Sequence, residues 1–322
     1  MHYARISGTG GYLPERVVTN DELAKQVETS HDWIVERTGI HKRHIAADNE
    51  TASSMGTEAA RRAIASANID PNDIDMIIGA TCSAERMFPS IACYIQRALG
   101  IKRPIPAFDV TVACAGFIYA ASIAEQYIKT GTFKNVLIVG SEMMSRVIDW
   151  TDRRTCILFG DGAGAWVLSQ SDEPGIHSCV LHANAEQSEI LYLPNSHGDI
   201  ERIEANGGKV VMRGNEVFKQ AVIALRDIVT ETLDAANLTA SDIDWLVPHQ
   251  ANYRIIKMVA DRLDLPEDRV VMTIADHANT SSASIPLALD EAVRDGRIKR
   301  GQRLLCEAFG GGLAWGSVLV TY

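Results

Sequence analysis

"ANIDPNDIDMIIGAT", residues 67–81, returns in outline as "ANLTASDIDWLVPHQ", residues 236–250. Both stretches run Ala-Asn-Ile/Leu, three linking residues, Asp-Ile-Asp, then an apolar run of strand character. Each follows a helical pattern, "TEAARRAIASA" (57–67) in the first copy and "ALRDIVTETLDAA" (224–236) in the second. The correspondence resumes further along. "CAGFIYAASIAEQYIKTGTFKNVLIVGSE" (114–142) parallels "NTSSASIPLALDEAVRDGRIKRGQRLLCEAF" (279–309) as helix, Gly-containing turn and strand. The two halves close alike, on "FGDGAGAWVLSQ" (159–170) and "FGGGLAWGSVLVTY" (309–322). Three shared words in one order point to an internal duplication. Strands alternating with helices give βαβ units whose sheets are covered by helices. The expected architecture is α/β, two halves stacked as α/β/α/β/α, with residues 1–171 forming the first half and 172–322 the second.

The bulk properties narrow the function. The chain has 322 residues, 46% hydrophobic and 22% charged, as a globular protein does, and no apolar run long enough for a membrane span. The start lacks a signal-peptide pattern, so the expectation is a cytoplasmic enzyme that is not a membrane protein. A net charge of −10 argues against nucleic acid, which needs a basic surface. Six cysteines, at 82, 93, 114, 156, 179 and 306, show no CxxC pair and no Cys/His metal spacing, so reduced thiols without a metal are expected. "GDGAGA" and "FGGG" do not match GxGxxG and precede strands, which argues against a dinucleotide site.

One thiol stands apart. In "FDVTVACAGFIYAAS" (108–122) Cys114 sits where an apolar strand gives way to an alanine-rich helix. In the repeat alignment it corresponds to Asn279, and His249 closes the strand "DWLVPHQ" before another helix. The duplication predicts that these strand-end loops face each other, bringing a thiol from one half to an imidazole and an amide from the other. A helix N-terminus favours thiolate and offers N–H groups to an oxyanion. Taken alone, Cys114 reads as a core cysteine, His249 as a strand-end histidine and Asn279 as a helix cap. His277, two residues before Asn279, is the rival imidazole.

The motifs "TVACAGF", "VPHQAN", "HANTSSASIP", "GDGAGA" and "EAFGGGLAWG", with "DWIVERTGI" near the start, resemble those of β-ketoacyl-acyl carrier protein synthase III, a family of the thiolase-like condensing enzymes. The resemblance spans essentially the whole chain and implies the duplicated thiolase-like fold. It implies that an acyl-CoA, typically acetyl-CoA, acylates Cys114. Malonyl-acyl carrier protein then loses CO2 and condenses, with His249 and Asn279 serving the decarboxylation. No cofactor is implied beyond these substrates. Backbone N–H groups of Cys114 and Gly311 would hold the acyl oxyanion, and Phe309 would pack near the thiol and exclude water. Asn279 stands where chain-elongating relatives resemble a second His, and Cys306 reads as core rather than as a thiolase's second cysteine.

The same resemblance implies the substrate surfaces. Trp33, Arg37 and Arg153 match positions that hold coenzyme A, and Gly214 and Asn252 match contacts to its pantetheine arm. Phe88 matches a residue that closes the acyl pocket across a homodimer. Lys219, Arg254, Lys257 and Arg262 would form a local basic patch for acyl carrier protein, with Asp261 intruding on it. Two other readings compete: a ketide synthase or acyltransferase with another starter or acceptor, and a catalytically silent binding subunit of the same fold.

Overall fold

The computed structural model describes residues 2–195 and 198–322. Five strands form the first large sheet: β1 (Tyr3–Tyr12), β2 (Met76–Ala80), β3 (Ala107–Val110), β4 (Asn135–Met143) and β5 (Asp161–Ser171). The second contains β6 (Ile176–Ala183), β7 (Trp245–Pro248), β8 (Arg303–Gly310) and β9 (Ala314–Thr321). Seven helices concern the site: α1 (His31–Thr38), α2 (Ala52–Ala67), α3 (Ile91–Ala98), α4 (Gly116–Lys129), α5 (Gly214–Ala236), α6 (Tyr253–Arg262) and α7 (Ser284–Arg294).

Strand order exposes the duplication. The first sheet runs β1-β5-β4-β2-β3 and the second β6-β9-β8-β7. In both, the first two pairings are antiparallel and the third parallel. β3 lies parallel to β2, and its counterpart in the second half has shrunk to one parallel bridge, Leu246 to Val270.

The repeated motif can now be read residue by residue. Asn68 and Asn237 end α2 and α5 in the left-handed conformation, at φ 55° and 53°, which Asn tolerates well. Asp73 and Asp242 close capping boxes on the 3-10 turns that follow. Asp75 accepts hydrogen bonds from the N–H groups of Lys134 and Asn135, and Asp244 from that of Arg303, fixing where β4 and β8 begin.

The apolar runs fit sheets covered on both faces. On β2 and β4, Ile78, Val136 and Ile138 face the core between the sheets, while Ile77, Leu137 and Val139 face the outer core beneath α2 and α3. α4 and α7 fill the central layer, where the Phe117 and Trp166 rings meet edge to face at 4.8 Å. α5 covers the far face of the second sheet. The layers are therefore α/β/α/β/α. The "GDGAGA" glycines have a packing role: a Cβ on Gly164 would lie 2.7 Å from the Leu287 backbone nitrogen on α7. Among the described residues, no helix is long and apolar enough to cross a membrane.

Two readings of the sequence need correction. The strand before Cys114 ends at Val110, and Thr111–Val112 lead into a 3-10 turn, Ala113–Ala115, which runs into α4. The matching turn before α7 is Ser281–Ala283, and each turn opens on a non-glycine residue of positive φ, Ala113 (43°) and Ser281 (50°). Cys114 is thus equivalent to Ser282, three residues beyond Asn279. Asn279 itself follows the short helix Ile274–His277 rather than a strand, and it bridges to Phe159. The repeat alignment slipped because helix starts, not side chains, set the structural register.

Candidate active site

Cys114, His249 and Asn279 line one cavity of about 600 Å³ between the halves. Its wall also holds Cys82, Phe159, Ser281, Phe309 and Gly311. Each group of the trio is held by its own local structure.

Cys114 is the middle residue of its 3-10 turn, and β8 presses against that turn. A Cβ on Gly310 would lie 2.7 Å from the Cys114 nitrogen and 3.1 Å from its Cβ, so only glycine lets strand and turn approach this closely. Gly310 was not singled out in the sequence, although its place in "FGGG" was the available signal. Gly311 is on the cavity wall, and Phe309 stacks on Trp315 at 6.2 Å while facing the cavity.

His249 follows β7 and is buried. Its backbone N–H donates to the Glu307 carbonyl at 2.8 Å, extending the β7–β8 ladder by one residue. Its Nδ1 lies 2.6 Å from Ser284 Oγ, at the start of α7. Ser284 Oγ also accepts from the Gln250 N–H at 3.3 Å, so its own proton is available to Nδ1. Nε2 has no hydrogen-bond partner among the described residues. Burial lowers the His249 pKa to about 4, leaving a neutral imidazole at pH 7.

Asn279 is fixed from both sides. Its backbone exchanges hydrogen bonds with Leu158 and Gly160, and its Oδ1 accepts from the Ser281 N–H at 2.8 Å. The carboxamide is therefore oriented, with Nδ2 left as a donor unpaired among the described residues. The rival imidazole of His277 is engaged elsewhere, with Nε2 3.0 Å from the Glu291 carboxylate.

The expected resting thiolate is not what this environment supports. Burial pushes the Cys114 thiol up to about 12, and the Glu142 charge adds to this, outweighing the hydrogen bond from Ser281 and the thiol's own backbone N–H. The short 3-10 turn offers the thiol few N–H groups against the cost of desolvation. Thiol and imidazole are thus both uncharged at neutral pH.

The substrate residues fall into groups. Arg37, Gly214, Asn252 and Arg254 line the cavity. Trp33 lies beside it, with the Arg37 and Arg153 guanidinium carbons 4.5 and 5.0 Å from its ring centre. Arg153 also donates to the Glu28 carbonyl. Asn252 caps α6 and donates through Nδ2 to the Arg37 carbonyl, tying α6 to α1. On α6, Lys257 is paired with Asp261 at 3.4 Å, and Arg262 reaches Thr230 on α5. Lys219 is exposed on α5, and Phe88 is 84% exposed in the single chain. Arg154 was missed: it lines the cavity one residue after Arg153, held by Asp152. Cys306 is fully buried in the central core, as read.

Comparison with known proteins matches the models for 3-oxoacyl-[acyl-carrier-protein] synthase III over residues 108–185 and for its C-terminal part over residues 233–322. The beta-ketoacyl-[acyl-carrier-protein] synthase III of Methylococcus capsulatus is 59% identical over 320 residues, covering 99% of both chains. That of Escherichia coli is 58% identical over 321 residues, covering 99% of this chain and all of the other. Among solved structures, the 3-oxoacyl-[acyl-carrier-protein] synthase III of Aquifex aeolicus superposes with a TM-score of 0.93 at 43% identity, covering 99% of this chain and 100% of that one. The priming beta-ketosynthase of the R1128 polyketide pathway gives 0.95 at 38%, covering 99% and 96%. OleA of Xanthomonas campestris, at 21% identity and a TM-score of 0.87 over 99% of each chain, shares the fold.

Proposed function

The chain belongs to the 3-oxoacyl-[acyl-carrier-protein] synthase III family of condensing acyltransferases, which initiate fatty-acid synthesis, and from that premise we propose how this chain performs the reaction. Cys114 is the acyl acceptor. Its sulfur attacks the thioester carbonyl of a short acyl-CoA, acetyl-CoA in the first instance. The S–C bond forms, the CoA–acyl bond breaks, and the thiol proton leaves with the CoA sulfur. Backbone N–H groups of Cys114 and Gly311 receive the transient oxyanion. Malonyl-acyl carrier protein then enters and loses CO2. The resulting enolate carbon attacks the acyl-Cys114 carbonyl, a C–C bond replaces the C–S bond, and the sulfur leaves as thiolate and takes one proton from solvent.

The observation that carries this reading is the state of the two donors. His249, neutral and with Nδ1 occupied by Ser284, offers an Nε2–H. Asn279, its oxygen occupied by Ser281, offers Nδ2–H. Two uncharged donors suit an enolate oxygen, because they strengthen as charge develops without binding the malonyl carboxylate tightly beforehand. No step calls for a cofactor. Phe309 shields the thioester from water.

Trp33, Arg37 and Arg153 form the adenine platform of CoA, and Gly214 and Asn252 border the pantetheine path. Lys219, Arg254, Lys257 and Arg262 form the docking face for acyl carrier protein, weakened locally by Asp261. The protein works as a homodimer in the cytoplasm, with exposed Phe88 closing the partner's acyl pocket. Residues 1–171 supply the nucleophile, and residues 172–322 the two donors. Unpaired cysteines at all six positions suit a reducing compartment.

The test is intact-protein mass spectrometry after incubation with a panel of acyl-CoAs. Wild type is expected to gain one acyl group and Cys114→Ser none. His249→Ala and Asn279→Ala should still acylate but lose malonyl decarboxylation by about two orders of magnitude or more. Acylation of the Cys114→Ser protein would remove the nucleophile assignment.

A further inference from the structure

Arg43, in the short strand Lys42–Ile45, is wholly buried, and no step above uses it. No carboxylate pairs with it among the described residues. Its guanidinium instead donates to neutral oxygens on two sides. Nη1 donates to the Val18 carbonyl at 3.2 Å and to Asn20 Oδ1 at 2.9 Å, while Nη2 donates to the Ile157 carbonyl at 2.9 Å. Desolvation lowers the Arg43 pKa to about 10, so the group is still a cation at neutral pH. A buried cation without a counter-ion is costly to keep, but its planar fork can serve acceptors on both sides at once.

The segment that Arg43 grips is the one that fixes Asn279. One residue past Ile157, the Leu158 carbonyl accepts from the Asn279 N–H at 2.9 Å, and the Gly160 N–H donates to the Asn279 carbonyl at 3.0 Å. Gly160 packs directly on Arg43: a Cβ there would lie 3.1 Å from the Arg43 Cβ and 2.9 Å from the His277 carbonyl oxygen. The same stretch of chain also touches the other support of Asn279, the short helix Ile274–His277. The His41 N–H donates to the Ala275 carbonyl at 2.9 Å, and Lys42 pairs with Asp276 at 3.0 Å. That ion pair is exposed and contributes little, which leaves Arg43 as the buried tie. Ala278, between the two supports, has a backbone conformation essentially reserved for glycine. Such a residue keeps its place only where its surroundings over-determine it.

We propose that Arg43 is a positioning residue for Asn279. By gripping the Ile157 carbonyl it fixes the segment 157–160, and through that segment the carboxamide that donates to the malonyl enolate. Cys114 is held separately, by β8 against its 3-10 turn, and His249 by the β7–β8 ladder and Ser284. Loss of the grip therefore falls on decarboxylation and spares transfer of the acyl group to sulfur. The Asn279 donor serves the transition state rather than binding, so the loss appears in kcat and not in KM. The inference rests on Asn279 being an enolate donor, and its test separates the two.

The experiment compares wild type, Arg43→Met, Asn279→Ala and the double variant. Acetylation of Cys114 from acetyl-CoA is timed by intact-protein mass spectrometry. Release of CO2 from malonyl-acyl carrier protein is then measured at saturating acetyl-CoA. Arg43→Met should acetylate within about threefold of the wild-type rate, yet release CO2 about tenfold or more slowly at unchanged KM. In the Asn279→Ala background the same change should cause no further loss, because the group it places is gone. A general loosening of the fold would slow the double variant further and would overturn the proposal. Wild-type CO2 release by Arg43→Met, or an equal loss of acetylation, would overturn it too. If Arg43→Met does not fold, Arg43→Lys decides, since lysine keeps the cation but lacks the fork that bridges both sides. Its CO2 release should fall in the same non-additive way, and wild-type rates would refute the role. CO2 release that survives Asn279→Ala would remove the donor reading of Asn279 and this inference with it, whereas a loss in Asn279→Ala alone would remove only the Arg43 role.

Discussion

Two side chains at the centre of the site are held uncharged against opposite tendencies, the Cys114 thiol raised to about 12 and the His249 imidazole lowered to about 4. Burial is the leading cause for both, because desolvation penalises whichever form carries charge. A third residue stores strain beside them. Ala278, immediately before Asn279, has φ 59° and ψ −161°, a region essentially reserved for glycine. The turn accepts it because Asn279 is pinned to Leu158 and Gly160 by two backbone hydrogen bonds. Such a conformation costs an alanine about 1–3 kcal/mol. Ala278→Gly is therefore expected to stabilise the protein by about 1 kcal/mol net of glycine's extra chain entropy, read as a thermal midpoint raised by a few degrees. A lowered midpoint would mean that the alanine is unstrained. The trio itself was legible in the sequence because its residue types are chemically distinctive. The ionisation state of Cys114 was not, because it depends on desolvation and on Glu142, which is distant in sequence and carries no motif.

Elements, rather than side chains, explain where the sequence reading held and where it slipped. The repeated words marked helix ends and strand starts correctly, since Asn68, Asn237, Asp75 and Asp244 do local jobs that local sequence records. The strand expected up to Cys114 stops at Val110, because β-branched residues suit a turn of extended backbone as well as a paired strand. The counterpart of β3 vanished for a related reason: a single bridge at Val270 has no periodicity to detect. Close approach of β8 to the nucleophile turn left only the glycine run "FGGG" as a signal, which does not say which glycine is pressed. It makes a direct prediction, because a Cβ at Gly310 meets backbone, which cannot move aside as a flexible side chain can. Gly310→Ala is expected to cost about 1–3 kcal/mol of stability by overpacking and to slow acylation about a hundredfold by displacing the sulfur. Denaturant unfolding and acyl-enzyme mass spectrometry read the two effects separately. Loss of stability with acylation intact would show that the strand, not the turn, gives way.

At the scale of the whole molecule, stacking two covered sheets buries polar groups where both halves meet, and stability becomes dependent on pH. Glu307, on β8, is fully buried, and its Oε2 has no hydrogen-bond partner among the described residues. Burial raises its pKa from 4.5 to about 8, so it is folded as the neutral acid. Its folded pKa exceeds the unfolded one, so its contribution is fully present below pH 4.5 and is lost as pH rises toward 8. His249 works in the other direction. With a folded pKa of about 4 against 6.5, its contribution is present above pH 6.5 and is lost as pH falls toward 4. Between pH 4.5 and 6.5 the slopes of these two groups offset one another, while from 6.5 to 8 the fall contributed by Glu307 is no longer countered by His249. Replacing Glu307 by Gln keeps the shape and removes the titration. Glu307→Gln should therefore gain about 3 kcal/mol relative to wild type on going from pH 5 to pH 8. Denaturant unfolding of both proteins across that range measures the difference. If the two curves remain parallel, Glu307 ionises in the folded protein as readily as in the unfolded chain, and the alkaline limb has another origin.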